Sequence, residues 1–249
     1  MAYKPLSQPG MMLDPADPIN RGLIAWWLLN EGGGSRLNDV RQGKDGTTIL
    51  DPKWEGGPSG GGILFNGSTQ YVNIPQTVTA FPFTISYWVK PIAYASGVQF
   101  SLYFSGSVYC VGGIFDSLRY YTSRSGFGTR EAALLKLGQW NHVVVAVTSL
   151  ATDAVYFNGK VAPIYDSGGS FVAPAGAIST LAKRAGGTER FFNGSLSNVR
   201  VYNRLLSQDE AIELYKNPLL GLYTPNIGKY FVSAAGGTTT NRQYSFVAG

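Results

Sequence analysis

The chain has very few of the residues that build metal and redox sites: its 249 residues include one cysteine, Cys110, and one histidine, His142. A single cysteine cannot form an internal disulfide, and one histidine with one cysteine cannot complete a common zinc site within one chain. We therefore interpret Cys110 as a small buried apolar side chain. His142 follows Trp140-Asn141 in an apolar stretch, which favours a structural histidine over a general base.

Charge is also scarce, at 14% of residues against the usual quarter. No run of Lys and Arg exceeds two residues, so the net charge of +5 does not predict a nucleic-acid-binding surface. No apolar run reaches the length of a membrane span, and MAYKPLSQPG lacks both the basic and the apolar region of a secretion signal. We expect a chain that is made in the cytoplasm and does not insert into a membrane.

Glycine, aromatic and hydroxyl residues take the place of charge, a composition typical of turns and half-buried sheets. The segment 83–91, FTISYWVKP, alternates with period two, which puts four apolar side chains on one face of a strand: Phe83, Ile85, Tyr87 and Val89. The segment 140–165 predicts three strands, with a hairpin turn at Asn158-Gly159, and Asn66-Gly67 predicts a tight turn between two short strands. Such strands without alternating helices predict an antiparallel sandwich.

One short helix is predicted near the C-terminus, because both its start and its end are encoded locally. Ser207 is a good N-cap, and Glu210 three residues later completes a capping box. Asp209 and Glu210 lie at the positive end of the helix dipole, and Pro218 stops the helix. We expect this helix to lie against a sheet edge or to close the sandwich.

Six phrases that occur in a fixed order resemble the laminin-G-like, concanavalin-A-like jelly-roll domains: LIAWWLLNEGGG (23–34), ILFNGSTQYVNIP (63–75), FTISYWVKP (83–91), WNHVVVAV (140–147), VYFNGK (155–160) and FFNGSLSNVRVYNRLLSQDEAIELY (191–215). The resemblance implies an all-β jelly roll, a β-sandwich of two antiparallel sheets with one short C-terminal helix. We assign this domain to residues 23–218, an N-terminal extended arm to residues 1–22, and a C-terminal tail for assembly or anchoring to residues 219–249. The fold hosts lectins, hydrolases and purely structural modules, so it does not define the chemistry.

The chain departs from the family where acidic residues often stand, and carries neutral side chains instead: Asn66, Asn193, Ser197 and Asn198. It also lacks the E-x-D-x-x-E run of glucanases with this fold, and Asp116 and Asp153 each stand alone. Glycoside hydrolysis normally needs two carboxylates across the scissile bond. We therefore expect no enzymatic activity and no cofactor.

A structural calcium ion is the remaining candidate for a bound group. Four oxygen-bearing residues surround the first glycine-rich loop: Glu31, Asn38, Asp39 and Asp45. Ordinary turn chemistry is the alternative, because Asn-Asp and Asp-Gly favour turns without a metal. The sequence leaves both interpretations open.

Glycan binding is best predicted in RYYTSRSGFGTR (119–130), where aromatic rings could stack on sugars and arginines could hold carboxylates. The candidate residues are Tyr120, Tyr121, Arg124, Phe127 and Arg130, together with Trp54 in an earlier loop. The alternative is a pair of strands with core aromatics and solvated arginines.

Both ends of the chain contain apolar residues but show no regular apolar period. Residues 1–22 contain four prolines, and residues 219–249 contain no acid. The flanks resemble those of phage and prophage proteins that carry this domain. We therefore expect a non-enzymatic virion protein, a head decoration, fibre or tail-associated protein, with homo-oligomeric and other virion partners and with host surface polysaccharide as a candidate ligand. A free carbohydrate-binding lectin is the alternative, and a glycoside hydrolase is disfavoured.

Overall fold

The computed structural model describes residues 11–93, 99–100, 102–104, 109–114, 120–122, 129–130, 135–148, 154–162, 178–183 and 190–224, and for the strands within 99–130 it describes the backbone pairing. In chain order the strands are β1 (Met12–Leu13), β2 (Leu23–Trp27), β3 (Arg36–Leu37), β4 (Gly46–Ile49), β5 (Lys53–Glu55), β6 (Gly62–Asn66), β7 (Tyr71–Pro75), β8 (Phe83–Pro91), β9 (Gln99–Phe100), β10 (Leu102–Phe104), β11 (Tyr109–Ile114), β12 (Tyr120–Thr122), β13 (Thr129–Arg130), β14 (Asn141–Val147), β15 (Ala154–Phe157), β16 (Lys160–Val161), β17 (Ile178–Leu181), β18 (Asn193–Tyr202) and β19 (Leu222–Tyr223). A 3-10 turn covers Pro18–Asn20, and the helix α1 covers Gln208–Lys216.

The described strands form two large sheets and one small ribbon. The front sheet has nine strands in the order β13-β12-β11-β10-β17-β7-β4-β3, with β9 paired to β11. The back sheet has eight strands in the order β16-β15-β14-β8-β18-β6-β5, with β2 paired to β18. Each described pairing between strands is antiparallel, as predicted. The all-β sandwich with one α-helix among the described residues is therefore confirmed.

The main core lies between the two sheets and contains side chains from both. Val72, Ile74 and Leu181 come from the front sheet. The back sheet supplies a larger set of side chains that point towards the front sheet: Phe65, Phe83, Ile85, Tyr87, Val89, Val143, Val145, Leu196 and Val199. The predicted alternation of strand 83–91 is confirmed, because its four apolar residues all lie in this core. Burial of these side chains is the main favourable term for holding the sheets together.

A second apolar cluster covers the outer side of the back sheet. Helix α1 begins after Ser207, whose side chain accepts a hydrogen bond from the Glu210 backbone N–H while Glu210 bonds back to the Ser207 N–H. The predicted capping box is thus confirmed. The helix buries Ala211 and Leu214 against outward-facing residues of the sheet: Trp26, Val144, Tyr156 and Tyr202. The helix therefore lies on a sheet face, and the back sheet is covered on both sides.

The two ends of the described chain meet on this same side. In the ribbon, Met12 pairs with Tyr223 and Leu13 with Leu222. The Asn20 side-chain amide donates to the carbonyls of Asp14 (2.7 Å) and Gly221 (2.8 Å), which ties the two segments together. Leu13 and Leu222 also pack on the second apolar cluster. Residues 12–22 are thus part of the folded domain, although the sequence predicted an arm over 1–22.

Two predicted turns are present, but they play different roles. Asn158 and Gly159 both have positive φ, at 49° and 77°, and connect β15 to β16 as the hairpin that the sequence predicted. The Asn66 side chain accepts hydrogen bonds from the N–H groups of Ser68, Thr69 and Gln70, which makes the second turn. This turn joins β6 of the back sheet to β7 of the front sheet, so it closes the sandwich rather than a hairpin.

In the part of the chain that the structure describes, no helix has the length and the apolar character needed to cross a membrane.

Candidate functional site

A row of polar side chains crosses the outer face of the front sheet. Arg36 on β3 lies opposite Thr47 on β4, Thr47 lies opposite Asn73 on β7, and Asn73 lies opposite Thr180 on β17. Their neighbours Val72 and Ile74 point into the core, so Asn73 points outward by the alternation of the strand. Thr47 is exposed, Asn73 is half-buried and Thr180 is buried. The row therefore descends from an exposed edge towards a covered part of the sheet.

An aromatic cluster with one cation adjoins this row. Tyr71 lies two residues before Asn73 on the same face of β7, and its ring centre is 6.2 Å from that of Phe191. The Lys183 ammonium lies 4.2 Å from the centre of the Tyr71 ring and 5.2 Å from that of Phe191. All three side chains are half-buried. Rings and an ammonium in this arrangement attract each other through the ring quadrupole, which holds the lysine in place.

Asp45 is the acidic residue bound to Arg36 of the polar row, and this arginine compensates its negative charge. Asp45 accepts a hydrogen bond from the Asp39 backbone N–H (2.8 Å) and forms an ion pair with Arg36, whose Nε lies 3.0 Å from its Oδ2. These two contacts, the backbone bond first, lower the pKa of Asp45. A carboxyl group with a lowered pKa is a poor proton donor, so Asp45 does not have the character of a catalytic acid.

The acids of the first glycine-rich loop hold the loop itself. Glu31 accepts from the Asn38 N–H at 2.7 Å, and the buried Asp39 accepts from the Trp26 N–H at 2.9 Å. Burial raises the pKa of Glu31. Among the described residues, no group of three or more His, Cys, Asp or Glu side chains could hold a metal ion. Both acids therefore accept hydrogen bonds from backbone N–H groups of the loop and of β2, and calcium at this loop stays a sequence-based hypothesis.

The residues predicted to bind glycan are only partly brought together. Tyr120 pairs with Arg130, and Tyr121 with Thr129, on the two strands at one end of the front sheet. Arg124 and Phe127 lie outside the described residues. Trp54 lies on β5 of the other sheet and packs against the core, so it does not share a surface with the rest. Binding at 119–130 stays a prediction.

The neutral residues on β18 have structural roles on the back sheet. Asn198 has φ of 51° and lies at a register shift, which places its side chain between two partners. It accepts from the Trp26 indole N–H (2.6 Å) and donates to the Pro218 carbonyl (2.5 Å). Ser197 donates to the Gly61 carbonyl at 2.6 Å. Amides and hydroxyls stand here because they bridge the sheet to the loops that cover it.

His142 is also buried on the outer side of the back sheet, with 1% of its surface exposed. Its Nε2 makes a 2.8 Å hydrogen bond with the Ser86 hydroxyl. Burial, followed by the nearby Arg200 charge, lowers the pKa of His142 to about 3. The imidazole is therefore neutral at pH 7, in agreement with the structural role expected from the sequence.

A cleft of about 580 Å³ lies beside the segment that connects β1 to β2. Its lining comes mainly from residues 13–24, with Arg41 and Asn203 on the other side. The lining carries positive charge from Arg21 and Arg41 and negative charge from Asp17. The described lining contains no aromatic ring on which a sugar could stack. The front face is therefore the better candidate for glycan binding.

The two-sheet sandwich with a helix on its back face defines a lectin-like class of β-sandwich proteins. Residues 66–211, more than half of the chain, match the profile of Laminin_G_3, a family of the concanavalin A-like lectin/glucanases superfamily. The chain belongs to this family. The comparison with curated proteins gave no match.

Several solved structures share the fold. Domain 4 of AbnA, a GH43 extracellular arabinanase from Geobacillus stearothermophilus seen in complex with arabinotriose, is 18% identical with a TM-score of 0.63, and the match covers 78% of this chain and 98% of that domain. The Trypanosoma rangeli sialidase in complex with sialic acid is 17% identical (TM-score 0.61), with 78% of this chain and 32% of the sialidase covered. The binding domain of Paraclostridial Mosquitocidal Protein 1 is 12% identical (TM-score 0.59), with 79% and 52% covered.

The aromatic cluster was missed by the sequence analysis because its members are far apart in the chain, at positions 71, 183 and 191. The position of one member of the cluster, Tyr71, could have been predicted from the sequence. In YVNIP, the alternation predicts that Tyr71 and Asn73 share the face opposite Val72 and Ile74. Lys183 and Phe191 carry no comparable pattern, since both lie outside regular strands.

Proposed function

We propose that the chain is a non-catalytic glycan-binding module of an attachment protein, mounted through its ends on a larger particle such as a phage virion. The proposal rests on one observation: two surfaces lie on opposite sides of the sandwich. Met12 and Tyr223 pair on the back-sheet side of the sandwich, whereas the polar row and the aromatic cluster lie on the outer face of the front sheet. A module fixed by its ends thus presents its front face to the outside.

The side chains of the front face support a carbohydrate ligand. Hydroxyl and amide groups at Thr47 and Asn73 suit sugar hydroxyls, and the rings of Tyr71 and Phe191 offer apolar surface to the C–H groups of a sugar. The likeness to a complete domain that is seen with arabinotriose supports the same ligand class. Two features support binding without hydrolysis. Asp45, whose charge Arg36 compensates, has a lowered pKa, and the chain lacks the E-x-D-x-x-E run of glucanases with this fold.

A glycan array with the purified full chain tests the binding part of the proposal. We expect binding that falls at least about tenfold in Asn73→Ala and in Tyr71→Ala, because each removes one contact of the front face. Lys53→Ala is the matched control, since Lys53 is exposed on the opposite sheet. Equal binding by the front-face variants and the wild type would place the glycan elsewhere, and release of reducing ends from a bound polysaccharide would reject a non-catalytic role.

The anchoring part of the proposal requires deletions that leave the folded domain intact. Residues 12–22 and 217–223 belong to that domain, so the deletions should remove 1–10 and, separately, 225–249. We expect at least one truncated chain to keep its glycan binding and thermal stability but to be missing from purified particles. If both truncated chains enter particles as the wild type does, the ends are not the anchors, and a free lectin becomes the better description.

A further inference from the structure

We infer that the front face selects glycans that carry a negative charge, and that Lys183 is the residue that recognises this charge. The inference rests on the proposed glycan binding and names the ligand class within it. It starts from one observation: the Lys183 ammonium is held over two aromatic rings on the binding face, at 4.2 Å from Tyr71 and 5.2 Å from Phe191.

Lys183 has no anionic partner among the described residues, in contrast to three other described cations. Arg36 pairs with Asp45, Lys90 with Glu55 at 2.6 Å, and Arg204 with Glu210 at 2.6 Å. Within the described ranges, Lys183 makes no ion pair. Its charge is therefore available to an anion that approaches the front face.

The rings make this available charge useful for recognition. A free surface lysine has to lose the rotamer freedom of its long side chain when it binds an anion. Lys183 is already half-buried between Tyr71 and Phe191, so part of this entropy is lost before any ligand arrives. A positioned ammonium that donates to a carboxylate or sulfate makes a charge-assisted hydrogen bond, which is about twice as strong as a neutral one.

The neutral part of the same ligand has partners beside the cation. Tyr71 and Asn73 are two residues apart on one strand face, or about 7 Å. One oligosaccharide can therefore pack against the ring of Tyr71, hydrogen-bond to Asn73 and direct its anionic group to Lys183. Asp45 does not oppose this approach electrostatically, because Arg36 compensates its charge.

The test uses an array of matched glycan pairs that have the same sugars and differ in the anionic group: sialyllactose with its methyl ester, oligogalacturonate with its methyl ester, and sulfated with unsulfated lactosamine. We expect the wild type to bind at least one charged member about tenfold more tightly than its neutral partner. Lys183→Met should abolish this difference, Lys183→Arg should retain it, and Lys53→Met should leave it unchanged. The preference should also weaken at high salt. The carboxylated and sulfated arms tell which anion is recognised.

Three outcomes would overturn the inference. Binding confined to neutral glycans rejects charge selection but leaves the proposed function standing. A charge preference that survives in a folded Lys183→Met chain rejects Lys183 as its source, and the melting temperature of each variant reports its folding. Absence of binding to any glycan rejects both the inference and the proposed function.

Discussion

Arg200 is the buried cation that holds the C-terminal segment, residues 217–223, on the back sheet. Its side chain is 1% exposed, and its guanidinium lies 3.6 Å from the centre of the Trp26 ring. It donates to the carbonyls of Pro218 at 2.7 Å and Leu220 at 2.9 Å. Leu220 lies two residues before Leu222, which pairs with Leu13. The two bonds therefore position the strand that pairs with Met12–Leu13.

We predict that Arg200→Met destabilises the domain and loosens the C-terminal segment before the sandwich unfolds. Each hydrogen bond from a charged donor contributes about 1.5–3 kcal/mol, and the desolvated cation–π contact about 2 kcal/mol. Methionine recovers part of this, because the cost of burying a charge disappears. The expected net loss in the free energy of unfolding is about 3 kcal/mol, since the Leu220 carbonyl loses its donor and the Pro218 carbonyl keeps only the one from Asn198.

Urea unfolding measures the total effect, and native-state hydrogen exchange locates it. The Asp14 N–H bonds to the Gly221 carbonyl at 2.8 Å, so its protection should drop in Arg200→Met together with that of Leu222. Arg36→Met is the control, because Arg36 makes an exposed ion pair of about 0–1 kcal/mol. A change below about 1 kcal/mol in Arg200→Met, with unchanged protection at Asp14, would refute the role assigned to Arg200.

Three further predictions concern the stability of the fold. Ser207→Ala removes the acceptor for the Glu210 N–H, and chemical denaturation should show a loss of about 1 kcal/mol, whereas no loss would mean that water replaces the cap. The lowered pKa of His142 means that the unfolded chain binds more protons between about pH 3 and pH 6.5, so stability should fall as pH falls through this window, by at most about 1.4 kcal/mol per pH unit. His142→Gln should reduce the slope of stability against pH in a comparison of the two urea series, and equal slopes would contradict the burial argument. Gly194→Ala would bring a Cβ to 2.4 Å from the Lys90 carbonyl at φ of 152°, so we expect a loss of at least about 2 kcal/mol, and a melting temperature equal to that of the wild type would be incompatible with this packing.

Local features of the fold were predictable because they depend on residues that are close in sequence. The capping box of α1 needs only Ser207 and Glu210, and the hairpin at Asn158-Gly159 needs two residues that tolerate positive φ. The inward face of strand 83–91 follows from the period of two along an extended chain. The resemblance to the laminin-G-like domains added the two-sheet architecture, which the family match confirms for residues 66–211.

The candidate site was predictable only in part. The pair of strands that the sequence offered as the alternative for 119–130 is present in the described backbone, since Tyr120–Thr122 and Thr129–Arg130 pair with each other. Its aromatic and basic residues suggested a binding surface from composition alone, and the described residues do not test that suggestion. Trp54 was grouped with them by residue type, but β5 belongs to the other sheet.

The sequence by itself determined where the helix, the Asn158-Gly159 turn and strand 83–91 lie, because capping, turn propensity and alternation act over a few neighbouring residues. Only the tertiary structure decided which sheet each strand joins, and so which distant side chains meet. The turn after Asn66 crosses between the sheets instead of closing a hairpin, which moves Tyr71 to the outer front face. There it meets Lys183 and Phe191, more than a hundred residues away in the chain. Their contact depends on sheet order, a property of long-range pairing that short-range patterns do not contain.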